Sequence, residues 1–168
     1  MTMSGAASRR IAPHRAPLTH HTAPMPKLHP HLIIADCPRA IDFYKAAFDA
    51  RELSRYADPK LGGQIVCAEL AIGDQQFSIS EEHREWHNDA PTSLGGSPVI
   101  LTLEVADVDA VGASLERAGA TVVYPIADQF YGDRSGRFRD PFGHIWRVTQ
   151  KIKEMSQAEI QAGVDAYE

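Results

Sequence analysis

The sequence predicts an α+β fold of two tandem βαβββ units forming a concave groove. Three observations lead there. Residues 32–50 and 103–121 align without a gap at an offset of 71, which sets Ile34 on Val105, Ala35-Asp36 on Ala106-Asp107, Tyr44 on Leu115 and Ala47 on Ala118. In each copy an apolar stretch runs into an aspartate and then into an amphipathic segment, the signature of a strand followed by a capped helix. Three further strand candidates follow each helix, so the whole chain reads as one unit written twice.

Residues 1–27 come first, and hold Arg9, Arg10, Arg15 and Lys27 with no acid, four prolines and three histidines. Such a stretch buries too little apolar surface to offset the entropy of ordering, so it is expected to be a disordered tail. An Arg-rich organellar leader, or a start at Met25, are the alternative readings of the same composition.

The first unit spans 28–80. After Asp36, residues Ala40, Ile41, Tyr44, Ala47 and Phe48 recur at three- and four-residue spacing, one face of a helix. Strands are expected over 52–56, 64–70 and 75–80, with Gly73-Asp74 turning between the last two. The segment 81–97, rich in His, acids, Pro and Gly, reads as a linker that can also form a rim to the groove. The second unit spans 98–150, with Val108, Val111, Leu115 and Ala118 on its helix face, Gly119 as the stop, and strands over 121–124, 135–139 and 145–150. Residues 151–168 close the chain with a helix. Ser156 and Glu159 form a capping box there, and Ile160, Val164 and Tyr167 share one face.

The strongest local signal is the run 131–146, read as a hairpin whose strands carry charged residues and large aromatics. Pro141 presets φ at the second turn position, Gly143 accepts φ > 0, and Asp140 bonds back onto the turn backbone. His144, just after the turn, is expected to fix the hairpin with a hydrogen bond. That run, with Ala35-Asp36-Cys37-Pro38-Arg39-Ala40-Ile41-Asp42-Phe43-Tyr44, resembles the glyoxalase/bleomycin-resistance/extradiol-dioxygenase group, the vicinal oxygen chelate superfamily. Gly132-Asp133-Arg134 followed by Asp140-Pro141-Phe142-Gly143-His144-Ile145-Trp146 is most similar to its PhnB-like members. The resemblance covers roughly residues 28–150. It implies a small-molecule ligand in a groove between the units, which the duplication lets one chain complete by itself. Chains of this family often pair, so a homodimer is expected.

Size and charge narrow the partners. With 168 residues, 43% of them apolar, and no long apolar run, the chain suits one domain or two half-domains sharing a core, with no membrane span. Taking the four tail cations from 17 leaves 13 against 22 acids, so the folded body carries a charge near −9. That surface repels phosphate backbones and anionic membranes, so neither nucleic acid nor membrane is an expected partner. Cys37 and Cys67 have no metal-type or paired spacing, and are read as reduced thiols in a cytoplasmic protein.

The resemblance also implies, for enzymatic branches, a divalent metal held by His or Glu at equivalent points of both halves. Carried over residue by residue, the first point falls near His29, seven before Asp36, and its counterpart is Ile100. The carboxylate of the final strand falls on Arg147, and its first-unit equivalent lies around Ser78. Three of the four positions lack a ligand, so no cofactor is expected, and His29 is the candidate if a divalent metal is bound. His31 would share a face with His29 on a strand, and His83 would share one with His87 on a helix. No nucleophile sits beside a base in sequence, there is no Gly-x-Ser-x-Gly elbow or phosphate-cradling glycine loop, and the catalytic residues are unknown.

The ligand-binding set read from the sequence is Tyr131, Trp86, Arg134 and Trp146. Tyr131 and Trp86 sit in loop-like settings where a ring can stack on a flat ligand. Arg134 belongs to a cluster with Asp133, Arg137 and Arg139, either salt-bridged within itself or holding an anionic group. The expected function is binding of a small organic molecule, such as sequestration of an antibiotic or toxin. The alternative is a metal-dependent lyase, isomerase or dioxygenase using ligands such as His29, His31, Glu81 or His83.

Overall fold

Two strand–helix–three-strand units follow one another in a computed structural model that describes residues 27–166. The expectations for residues 1–26, and for Tyr167 on the last helix, lie outside the described residues. The first unit comprises β1 (His31–Ile34), α1 (Cys37–Phe48), β2 (Arg51–Asp58), β3 (Gln64–Ile72) and β4 (Gln75–Glu81). A short α2 (Pro91–Leu94) stands between the units. The second comprises β5 (Ile100–Glu104), α3 (Val108–Ala118), β6 (Thr121–Asp128), β7 (Asp133–Arg139) and β8 (Ile145–Lys151), and α4 (Gln157–Asp165) follows. The sheets run β1-β4-β3-β2 and β5-β8-β7-β6, the first pair parallel and the others antiparallel in each. This is the α+β architecture read from the repeat.

Local chemistry sets the boundaries. Asp36 accepts from the Arg39 amide at 3.1 Å and Asp107 from the Ala110 amide at 2.9 Å, the N-caps expected at matching points of both copies. Gly119 ends α3 at φ 104°, a conformation open to glycine. The Ser156–Glu159 capping box opens α4. Strand β6 outruns the expected 121–124 by four residues, although Pro125 lies within it. It is an edge strand, where a missing N–H is tolerated, and its register against β7 slips between Tyr124 and Ala127.

The two units meet chiefly through α1 and α3, packed side by side. Between them lies an aromatic cluster in which the Tyr44 ring is 5.4 Å from Phe77 and 5.7 Å from Trp146, and Phe48 is 4.7 Å from Trp146. Buried in that cluster, the Asp140 carboxylate accepts from Tyr44 Oη at 2.8 Å and Trp146 Nε1 at 3.1 Å. Its other oxygen accepts from the Phe142 and His144 amides at 3.0 and 2.9 Å. One acid thus ties the turn of the second unit to the helix of the first, each bond to a charged group being worth about 1.5–3 kcal/mol.

Several expectations change here. His144 does more than hold its own hairpin, where its amide donates to Asp140 Oδ1 at 2.9 Å and its carbonyl accepts from the Asp140 amide at 3.0 Å: its ring Nε2–H also donates to the Ile33 carbonyl at 3.0 Å, bracing β1 of the other unit. His83 and His87 do not share a helix face, because they flank a single turn over Arg84–Trp86 and His87 takes a left-handed backbone. The His83 ring instead stacks on Trp86 at 4.0 Å. Cys37 and Cys67 are both free thiols, Cys37 fully buried.

Candidate functional site

The most developed hollow, about 650 Å³, lies on the outer face of the second sheet. Its lining comes entirely from residues 124–147: the bulged edge Tyr124–Asp128, the loop with Phe130 and Tyr131, and Ser135, Gly136, Arg137 and Arg147 on the strands. The sequence builds it through two glycines. A Cβ at Gly136 would stand 2.6 Å from Ile126 Cγ1, and one at Gly112 would stand 2.4 Å from Ile126 Cδ1. Only with both side chains missing can Ile126 insert between β7 and α3, and with Ile126 drawn inward the bulged edge of β6 forms one wall.

The opposite rim is held by the C-terminal segment. Gly163 of α4 lies so close to Phe130 that a Cβ there would meet the ring at 2.5 Å, and Gly132 abuts the Lys153 carbonyl and Met155. Helix α4 therefore docks on its own chain. Phe130 in turn meets Tyr131 edge to face at 5.2 Å.

The floor is cationic. Arg137 of β7 and Arg147 of β8 are directly opposed across the ladder. Arg147 stands 5.5 Å over the Tyr131 ring, and its Nη2 donates to Tyr131 Oη at 3.3 Å and to Asp133 at 3.4 Å. Asp133 is shared, also accepting from Thr149 Oγ1 at 3.1 Å and pairing with Lys151 at 3.2 Å. Arg137 stacks 4.9 Å over Tyr124 and has no ion pair or hydrogen bond among the described residues. The Nε atoms of both arginines are shielded from water and lack a partner.

Of the four ligand-binding residues read from the sequence, the structure places Tyr131 in this hollow. Trp86 lines a separate gap of about 20 Å³ between the first sheet and the linker. Arg134 is not in the lining, because alternation along β7 turns it away from Ser135 and Arg137, and Asp109 and Asp128 hold it at 2.9 and 2.8 Å. Those carboxylates raise its already high pKa, and Arg134 lowers that of Asp109. Trp146 is 5% exposed and packs inward, its indole N–H spent on Asp140, so it offers no surface to a ligand. Sequence reasoning names Arg137 only as a member of the charged cluster, not in the ligand-binding set, and misses Tyr124. The available signal was the hairpin itself, since pairing Arg139 with Ile145 beside the turn puts Arg137 opposite Arg147.

The positions that the family resemblance reserves for a metal do not suit one. His29 precedes β1 and is exposed, and Ile100 has no donor atom. Ser78 Oγ is engaged by the His31 ring at 2.7 Å, whose other nitrogen meets Ser80 Oγ at 2.9 Å. Arg147 brings a positive charge to the point where a divalent ion needs a carboxylate. Among the described residues no three His, Cys, Asp or Glu side chains converge. Burial raises the pKa of Glu81 above the usual carboxylate value, beside Cys37, whose thiol burial pushes up to about 12. No described helix is long and apolar enough to cross a membrane.

Residues 19–148 match the family model of the Glyoxalase/Bleomycin resistance protein/Dioxygenase superfamily. An uncharacterized protein of Mycobacterium bovis is 42% identical over 144 residues, covering 84% of this chain and 93% of its own length. Among solved structures, TioX from Micromonospora sp. ML1 superposes with a TM-score of 0.57 at 27% identity, over 78% of this chain and all of its own. The fosfomycin resistance protein FosX from Listeria monocytogenes, complexed with Mn(II) and sulfate, shares the fold with a TM-score of 0.59 at 17% identity, over 81% of this chain and 97% of its own.

Proposed function

We propose that this chain, which belongs to the Glyoxalase/Bleomycin resistance protein/Dioxygenase superfamily, binds a small organic molecule in the hollow of its second sheet and holds it without breaking a bond. One observation carries the reading. Where the resemblance calls for a metal-binding carboxylate, Arg147 instead lies under an aromatic-walled hollow of a size that suits a small ligand. Tyr124 and Tyr131 supply flat surface, and the arginines supply polar contacts that orient what is bound.

Within the superfamily the reading assigns the chain to the PhnB-like members, on the Gly132-Asp133-Arg134 and Asp140-to-Trp146 signature. That FosX is a fosfomycin resistance protein supports sequestration of an antibiotic or toxin as the purpose. The proposal includes a homodimer in the cytoplasm. The first sheet leaves Tyr56 and Glu69 exposed on its outer face, and a second copy laying that face over the hollow would close it.

Two measurements test this. Calorimetric titration with flat aromatic compounds should give saturable binding that Tyr131→Ala weakens about tenfold. Metal analysis after mild dialysis should find no stoichiometric metal. Near-stoichiometric Zn, Ni, Mn or Fe would overturn the reading in favour of a metal-dependent lyase, isomerase or dioxygenase.

A further inference from the structure

We infer that the ligand of this hollow is a planar aromatic carboxylate, its anionic group held by Arg137 and Arg147 and its ring lying against Tyr124 and Tyr131. The inference rests on the small-molecule reading above and names the chemistry of the ligand.

The ladder register makes the first part of the case. Like charges directly opposed across two strands destabilise a sheet, and Arg137 and Arg147 occupy such a pair. Their charge is incompletely answered by the protein. Arg137 has a ring beneath it and no acid among the described residues, while Arg147 shares Asp133 with Lys151 and reaches it only at 3.4 Å. An anion arriving between the two guanidinium groups would relieve the repulsion and accept from their outer Nη–H groups, the Nε atoms being shielded.

Charge and shape then select the class. Around the floor, the lining cations Arg137 and Arg147, with Lys151, face the lining acid Asp128 and the shared Asp133, which leaves one positive charge. A monoanion balances that, whereas a dianionic phosphate ester would overshoot. The planar fork of a guanidinium matches the two oxygens of a carboxylate. Above this floor the walls are rings, Tyr124, Phe130 and Tyr131, which favour a flat apolar body attached to the anion.

The test uses the full chain and four probes in calorimetric titrations: 2-naphthoate, its neutral isostere 2-naphthamide, benzoate and inorganic sulfate. The expected result is that naphthoate binds at least tenfold more tightly than naphthamide, more tightly than benzoate, and far more tightly than sulfate. Arg137→Gln and Arg147→Gln should each weaken naphthoate tenfold or more, leave naphthamide within twofold, and flatten the salt dependence of naphthoate binding. Arg137→Gln should also melt at or above the temperature of the unsubstituted protein without ligand, because it removes a like-charge pair; a structural arginine would give a lower Tm.

Equal binding of naphthoate and naphthamide, unchanged in both arginine variants but lost in Tyr131→Ala, would overturn the carboxylate while leaving the small-molecule site standing. Sulfate binding as tight as naphthoate would overturn the aromatic half. Failure of both naphthyl compounds to bind would overturn the inference, and other flat ligands would then decide the broader reading separately.

Discussion

The two units share topology, helix caps and turn positions, yet their outer sheet faces differ in kind. On the first, the polar side chains satisfy one another, the His31 ring meeting both Ser78 and Ser80. On the second, the equivalent of Ser78 is Arg147, and its neighbour Arg137 finds no acid among the described residues. The shape of the sheets diverges as well. Ile41 on α1 corresponds to Gly112 on α3, and Ala68 opposite Ile79 corresponds to Gly136 opposite Val148. In the second unit both volumes are surrendered to Ile126, which reaches in from the bulged edge strand. A duplicated scaffold thus acquires a hollow by moving one side chain's worth of volume from a helix to a strand, and acquires a charge by placing arginine where a serine stood.

The harshest way to break the comparison removes what joins the units. Asp140→Ala would strand Tyr44 Oη, Trp146 Nε1 and two amides in the core, and should cost about 3–5 kcal/mol. Denaturant melts followed by fluorescence and by far-UV dichroism should shift together, because the carboxylate bonds to both units. Next in size, Gly136→Val should cost about 1–3 kcal/mol by driving a side chain into Ile126, and should abolish binding by distorting the wall of β6. Calorimetric titration on the folded fraction separates the two effects. If binding persists in that variant, the glycine–isoleucine account of the hollow is wrong.

A gentler change makes the first unit copy the second. Cys37 corresponds to Val108, and both are fully buried. The buried thiol is pushed up to about 12 from an ordinary value of 9.0, so the fold favours its neutral form. Unfolding releases a group that ionises more readily, and its contribution is therefore complete below about pH 9 and lost as pH rises toward 12. Cys37→Val should change stability at pH 7 by less than about 1.5 kcal/mol, as volume-conserving swaps do, and flatten the alkaline decline of Tm. Thiol labelling at pH 8 should reach Cys37 only with denaturant present. The smallest effect is expected from Arg134→Gln. Its partners are solvent-exposed, so Tm should move within error, and ligand affinity should stay the same because the side chain does not line the hollow.

Legibility in the sequence followed the range of the forces involved. Caps at Asp36 and Asp107, the Asp140-to-Gly143 turn, and the helix faces bearing Tyr44 and Leu115 depend on neighbours a few residues away, and all were readable. Trp146 reads as a ligand contact in the sequence because an aromatic beside a turn is expected to be accessible, whereas its N–H meets Asp140 inside the core. Arg134 and Arg137 stand in the same charged run, and local sequence does not separate them. Choosing between them required knowing which side of β7 the helix covers.

The sequence by itself determined the repeat, the order of its elements, the caps and turns that bound them, and the family they resemble, since periodicity and local hydrogen bonding act within one or two turns of chain. Only the tertiary structure decided that the units meet through α1 and α3, that Ile126 fills the space left by Gly112 and Gly136, and that two arginines oppose each other under a ring-walled hollow. Those outcomes arise from volume and charge matched between residues distant in the chain, which no short stretch encodes alone.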